Sequence, residues 1–152
     1  MMLEVPSAVF SIERFLEHVD FMSIGTNDLI QYSFAVDRGN EMVSSLYNPL
    51  HPSFLKMLGH IGTVFKSYPD KRLSMCGEMA GSPLAAPFVV GAGITDLSMT
   101  PKNIPSIRKV LRSFTVKECE ELLDRAVSMD DPSSVEDMAR KSFVGKGLKD
   151  LM

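Results

Sequence analysis

The stretch Asp20-Phe21-Met22-Ser23-Ile24-Gly25-Thr26-Asn27-Asp28-Leu29 limits the possible folds more than any other in the chain. It opens as an apolar run through Phe21, Met22 and Ile24. It then breaks into Gly25-Thr26-Asn27-Asp28, residue types that suit a tight turn or a ligand loop rather than a strand interior. The pattern is that of a buried parallel strand ending in a polar tip. In α/β folds the carboxyl ends of parallel strands are where ligands bind.

The remaining sequence repeats the theme. Residues 1–5 read as a short strand, and Pro6 opens a helix whose apolar positions Ala8, Val9, Ile12, Phe15, Leu16 and Val19 fall at helical spacing. A short helix is expected over 29–36, a loop over 37–40, a second loop over 47–52 and a helix over 53–67. A third strand over 72–76 ends at Gly77-Glu78-Met79-Ala80-Gly81 and leads to a small-residue helix over 82–90. A fourth strand is expected over 95–99 and a helix over 104–114. Thr115 with Glu118, and Ser133 with Glu136, have the form of capping boxes for two further helices. Gly145 ends the last one, and the tail beyond it is expected to fray.

Strands alternating with helices argue a parallel α/β sheet. Polar or glycine-containing strand ends suit the rim of a (β/α)8 barrel, but a full barrel needs roughly 200 residues or more. Four strand–helix units in 152 residues make about half of one. The expected architecture is therefore the C-terminal half of a (β/α)8 TIM barrel over 1–130, followed by a C-terminal helix and tail over 131–152. Four open strands leave two sheet edges to be covered.

The net charge of −3 gives no sign of a nucleic-acid surface or a polybasic membrane contact, and no apolar run is long enough to span a bilayer. The first residues lack the basic and then apolar regions of a signal peptide. Cys76 and Cys119 lie far apart in unlike contexts, which suits a reducing compartment. The cytoplasm is the expected location.

Glu4, Asp28 and Cys76 stand at successive strand ends. Glu4 and Asp28 could supply two carboxylates to Mg²⁺, an ion that takes one or two carboxylates and fills its other positions with water and substrate phosphate. Asn27 can donate an amide N–H to an anion, and Arg38 offers a planar fork for a phosphate or carboxylate. Cys76 could move a proton. Each residue also has a plain structural reading. Glu4 can be a helix-entrance acid, Asn27-Asp28 a turn, Cys76 a small buried hydrophobe and Arg38 a loop ion pair. His18, His51 and His60 show no metal spacing and read as surface or packing residues, and Cys119 reads as structural.

Longer strings take the reading further. Leu3-Glu4-Val5-Pro6-Ser7-Ala8, Ser23-Ile24-Gly25-Thr26-Asn27-Asp28-Leu29-Ile30-Gln31-Tyr32, Ala35-Val36-Asp37-Arg38-Gly39-Asn40, Leu46-Tyr47-Asn48-Pro49 and Met75-Cys76-Gly77-Glu78-Met79-Ala80-Gly81 occur in order. Together, over about residues 1–130, they closely resemble the C-terminal end of the phosphoenolpyruvate-protein phosphotransferases, enzyme I of the sugar phosphotransferase system. Pyruvate phosphate dikinase and phosphoenolpyruvate synthase share the Gly-Thr-Asn-Asp theme but less of the other strings.

The resemblance implies that Glu4 and Asp28 hold Mg²⁺. It implies that Asn27, Asp28 and Arg38 contact phosphoenolpyruvate, and that Cys76 protonates the enolate carbon to give pyruvate. It also implies parts that this chain does not contain: a domain whose histidine accepts the phosphoryl group and docks the carrier HPr, and the first half of the barrel. The chain is then expected to be inactive alone, to pair with the missing half or a partner chain, or to form a homodimer. A non-catalytic dimerisation or interaction fragment is the rival expectation. A piece of a synthase-like or dikinase-like enzyme is another.

Overall fold

The computed structural model describes every residue except Arg38 and the side chain of Ser45. Four strands, β1 (Met2–Leu3), β2 (Phe21–Gly25), β3 (Arg72–Cys76) and β4 (Asp96–Leu97), lie side by side in chain order, every pair parallel. The helices between and after them are α1 (Pro6–Val9), α2 (Ile12–Leu16), α3 (Thr26–Phe34), α4 (Pro52–Lys66), α5 (Ala86–Gly91), α6 (Ile104–Ser113), α7 (Val116–Ala126) and α8 (Pro132–Gly145). This is the α/β half-barrel expected from the alternation.

Strand alternation sorts the sheet into two faces. Leu3, Met22, Ile24, Leu73 and Met75 are buried on one face and join Ile12, Leu16, Leu29, Leu55, Leu58, Ile61 and Phe88 from the helices in one core. The other face carries Met2, Phe21, Ser23, Arg72, Ser74, Cys76 and Asp96, none of them buried. In register, Phe21 stands beside Arg72, Ser23 beside Ser74 and Gly25 beside Cys76. A smaller cluster of Ala86, Ile107, Val110, Phe143 and Leu148 joins α5, α6 and α8, while Val135, Met138 and Ala139 of α8 belong to the main core.

Several elements differ from expectation. The polar tip after β2 is not a loop: α3 begins at Thr26, directly after the strand, so Thr26, Asn27 and Asp28 form its first turn. Gly25 joins the two with φ −85° and ψ 85°, a turn that does not itself demand glycine. The helix expected from Pro6 is split at Phe10 and Ser11 into α1 and α2. Helical periodicity still selected the buried side chains Ala8, Val9, Ile12 and Leu16, since the break leaves their facing unchanged. The helix expected from residue 82 starts at Ala86, and β4 pairs over two residues only.

The capping box at Thr115 and Glu118 is present, with Thr115 Oγ1 accepting from the Glu118 N–H at 3.2 Å and Glu118 Oε2 accepting from the Thr115 N–H at 2.7 Å. The second expected box is not. Asp131 caps α8 instead, accepting from the Ser134 N–H at 2.9 Å, with Pro132 in the first turn. Proline has no N–H to lose at that position and its φ is already helical, so the cap falls just before it. Glu136 is left to pair with Arg140 one turn on. The tail does not fray either. It folds back into a short 3-10 turn over Lys149–Leu151, with Leu148 buried and Asp150 Oδ2 2.7 Å from Lys109 Nζ.

Candidate functional site at the carboxyl ends of the strands

Three of the residues singled out in the sequence meet on one face of the sheet at one end. Leu3 pairs with Ile24 and Gly25 with Cys76, so Glu4, Gly25 and Cys76 follow one another across the tips of β1, β2 and β3. The middle member has no side chain, and the Glu4 side chain occupies the space. A Cβ on Gly25 would lie 2.7 Å from Glu4 Cγ and 2.9 Å from its Oε1. The glycine thus lets the Glu4 carboxylate lie over the β2 tip.

Asp28 and Asn27 reach the same end from the first turn of α3. Gly25 precedes that turn and supplies no side-chain cap. The first N–H groups of the nine-residue helix therefore carry their partial positive charge toward the strand ends, a setting that favours anions. Asp28 and Asn27 are both half-buried.

Cys76 ends β3, half-buried, with its thiol 3.5 Å from the Ile24 carbonyl oxygen. The chain leaves it through Gly77 at φ +92°, a left-handed conformation that side chains rarely adopt. Two residues of α3 hold the turn from the far side. Thr26 Oγ1 donates to the Cys76 carbonyl oxygen at 2.9 Å, and Asn27 Oδ1 accepts from the Glu78 N–H at 3.0 Å. The Tyr47 hydroxyl donates to the Asn27 carbonyl oxygen at 3.3 Å. Beside Cys76 opens a hollow of about 510 Å³, lined by Asn27, Cys76, Glu78, Ser98, Lys102 and Asn103 among others.

The structure thus brings Glu4, Asn27, Asp28 and Cys76 to one end of the sheet. Arg38 lies outside the described residues. Sequence reasoning missed Thr26 and Gly77 as site residues, and it quoted Tyr47 in a string without giving it a role. Thr26 was read as part of a loop, and its hydroxyl bond spans fifty positions in sequence, a distance no local pattern covers.

The other candidates are accounted for structurally. His51 caps α4 through Nδ1, which accepts from the Ser53 N–H at 3.1 Å, and its ring rests on Phe34. Cys119 is buried, and burial pushes its thiol up to about 11, which keeps it protonated and inert near neutrality. Among the described residues, no three His, Cys, Asp or Glu side chains converge as a metal cage. No described helix is long and apolar enough to cross a membrane.

A parallel half-barrel with acids, an uncapped helix start and a thiol gathered at its carboxyl end is the architecture of a barrel enzyme's binding domain. Comparison with known proteins specifies which. The sequence model of the PEP-utilising enzyme, PEP-binding domain, matches residues 1–116, and the chain belongs to that family. It is 40% identical over 148 residues to a phosphoenolpyruvate-protein phosphotransferase of Mycoplasma pneumoniae, covering 97% of this chain and 26% of that protein. A protein of the same name from Haemophilus influenzae is 36% identical over 149 residues, again covering 97% of this chain and 26% of the relative. Multiphosphoryl transfer protein 1 of Escherichia coli is 41% identical over 136 residues, covering 90% of this chain and 16% of the relative. The family is one of transferases, and the chain spans about a quarter or less of the length of these relatives.

Proposed function

We propose that this chain is the phosphoenolpyruvate-binding half-barrel of a phosphotransferase that passes the phosphoryl group of phosphoenolpyruvate to a protein histidine. The observation that carries the reading is the gathering of Glu4, Asn27, Asp28 and Cys76 at the carboxyl ends of β1, β2 and β3, beside an uncapped helix start. The phosphate of the substrate would lie against the first turn of α3, contacted by Asn27 and Asp28, with Arg38 completing its charge balance.

The donor set suits Mg²⁺. Glu4 and Asp28 would offer it two hard carboxylates from the end of β1 and the first turn of α3, and such an ion keeps waters and substrate oxygens in its other positions. When bound there, Mg²⁺ would neutralise charge on the phosphoryl group and on the pyruvate enolate. In the reaction the P–O bond of phosphoenolpyruvate breaks and a P–N bond forms at the acceptor imidazole. The remaining enolate takes a proton on its methylene carbon from the Cys76 thiol, giving pyruvate.

This reading assigns neither the acceptor histidine nor an HPr-docking surface to these 152 residues, which by themselves are expected to bind phosphoenolpyruvate without turning it over. We place it in the cytoplasm with the soluble carriers such an enzyme serves. The test is calorimetric titration of phosphoenolpyruvate with and without Mg²⁺, on the wild type and on Asp28→Ala. Mg²⁺-dependent binding that Asp28→Ala weakens at least about tenfold supports the reading. Absence of binding to the wild type, or HPr phosphorylation by the chain alone, overturns it.

The bare sheet face favours a second reading, an interaction module that dimerises or completes a partner half. Phe21 is 55% exposed there and Met2 47%. Sedimentation at several concentrations decides it, and a strictly monomeric, folded chain removes the homodimer.

A further inference from the structure

We propose that Thr26 is a positioning residue for Cys76, acting through a clamp that ties the first turn of α3 to the β3 exit loop. Thr26 is the one polar side chain among the described residues that is fully buried, and its hydroxyl is spent on a single acceptor, the Cys76 carbonyl oxygen at 2.9 Å. A buried hydroxyl is costly unless bonded, so Thr26 and the Cys76 peptide hold each other in place.

The next link is Gly77. Its φ of +92° turns the chain back toward α3, and a Cβ there would lie 2.4 Å from Thr26 Oγ1 and 2.9 Å from Asn27 Oδ1. The contact is too close for any other residue, so the glycine and the threonine form a matched pair. The third link is the Glu78 N–H, held by Asn27 Oδ1 at 3.0 Å. Residues 76–78, the end of β3 and the turn that follows it, are thereby tied to two consecutive helix residues, Thr26 and Asn27.

The consequence falls on the thiol. Cys76 Sγ donates to the Ile24 carbonyl oxygen at 3.5 Å, on the strand that runs directly into Thr26. With its carbonyl anchored to α3 and its thiol leaning on β2, Cys76 has one orientation toward the hollow shared with Glu78, Ser98 and Lys102. Asn27 then has two tasks. Its amide oxygen is committed to the loop, which leaves its NH₂ group for an anion. As a statement about proton donation this rests on the function proposed above; as a statement about Cys76 geometry it does not.

The test reads Cys76 directly, by iodoacetamide alkylation followed by site-resolved mass spectrometry at one neutral pH. Thr26→Val keeps the shape and removes the donor. It is expected to raise the Cys76 alkylation rate at least about threefold, because the thiol gains orientations, while Thr26→Ser restores a rate within about twofold of wild type. An unchanged rate in folded Thr26→Val, or failure of Thr26→Ser to restore it, overturns the clamp. If Thr26→Val does not fold, hydrogen exchange of the wild-type protein decides. The Glu78 amide should be protected at least about tenfold over an open loop, and unprotected exchange overturns the proposal. Because neither readout uses phosphoenolpyruvate or Mg²⁺, a clamp that holds in a chain that binds neither sinks the functional reading and leaves the clamp standing.

Discussion

The two faces of the sheet obey different rules. The helix-covered face is built from Leu3, Met22, Ile24, Leu73 and Met75, all buried in one core with residues of α2, α3, α4 and α5. The bare face alternates with it residue for residue, yet it carries serines, a charged pair (Arg72 with Asp96, 3.3 Å apart) and exposed Phe21. One face supplies stability. The other carries the candidate site, and every candidate residue on a strand or just past it, Glu4, Gly25 and Cys76, belongs to the second. A barrel needs this division, because its helices must grip the outside of the sheet while its ligands enter from the strand ends.

The sharpest way to break the comparison is to cut one side chain from each face of a single strand. Met75→Ala on the covered face should cost about 2–5 kcal/mol in denaturant unfolding, by lost burial and the cavity left behind. Its neighbour Ser74→Ala on the bare face should stay within about 0.5 kcal/mol, although Ser74 Oγ lies 3.3 Å from the Met22 carbonyl oxygen. Equal costs would show that the bare face is structural after all.

A second substitution sharpens the role of the empty position in the site row. Gly25→Ala places a methyl where the Glu4 side chain lies. The chain should remain folded with a loss of about 1–3 kcal/mol, while Mg²⁺-dependent ligand binding falls more steeply than stability does. Calorimetry and urea unfolding on the same sample separate the two effects.

The smallest expected effect lies far from both faces, in the C-terminal helices. The Lys146 ammonium bonded to Glu118, with help from the Thr115 cap, holds the Glu118 carboxyl down to about 2 from an ordinary 4.5. A carboxyl lowered in the folded state stabilises the protein above its unfolded value, and that contribution is lost as pH falls from about 4.5 toward 2. Glu118→Gln should therefore lower the melting temperature slightly at neutral pH, where the contribution is present, and flatten its fall across that window, so that the two proteins converge in acid. An identical acid profile in the variant would assign the pair no role.

Much of the fold was legible because it follows from local periodicity. The apolar run ending in a polar tip at 21–28, the strand at 72–76 and the helical spacing in α4 and α6 depend only on neighbours in sequence, so strands and helices could be read directly, whereas the exposure of Phe21 on the bare face could not. The Thr115 capping box is equally local. The second box failed at Ser133 because Asp131 followed by Pro132 offered a better start, a competition between two adjacent signals. The tail docked because Leu148 found a pocket among α5, α6 and α8, which no property of the tail itself announces.

The sequence alone determined the candidate site residues Glu4, Asn27, Asp28 and Cys76, with Arg38 outside the described residues, the half-barrel alternation that carries them and the family to which the chain belongs. Only the tertiary structure decided how they are held. It turned the supposed loop after β2 into the first turn of α3, laid Glu4 over Gly25, and spent the Thr26 hydroxyl and the Asn27 amide oxygen on the Cys76 loop. The physical reason is range. Secondary structure is set by interactions a few residues apart, whereas the site is made by parallel strands whose partners lie fifty positions away, and their register appears only when the sheet forms.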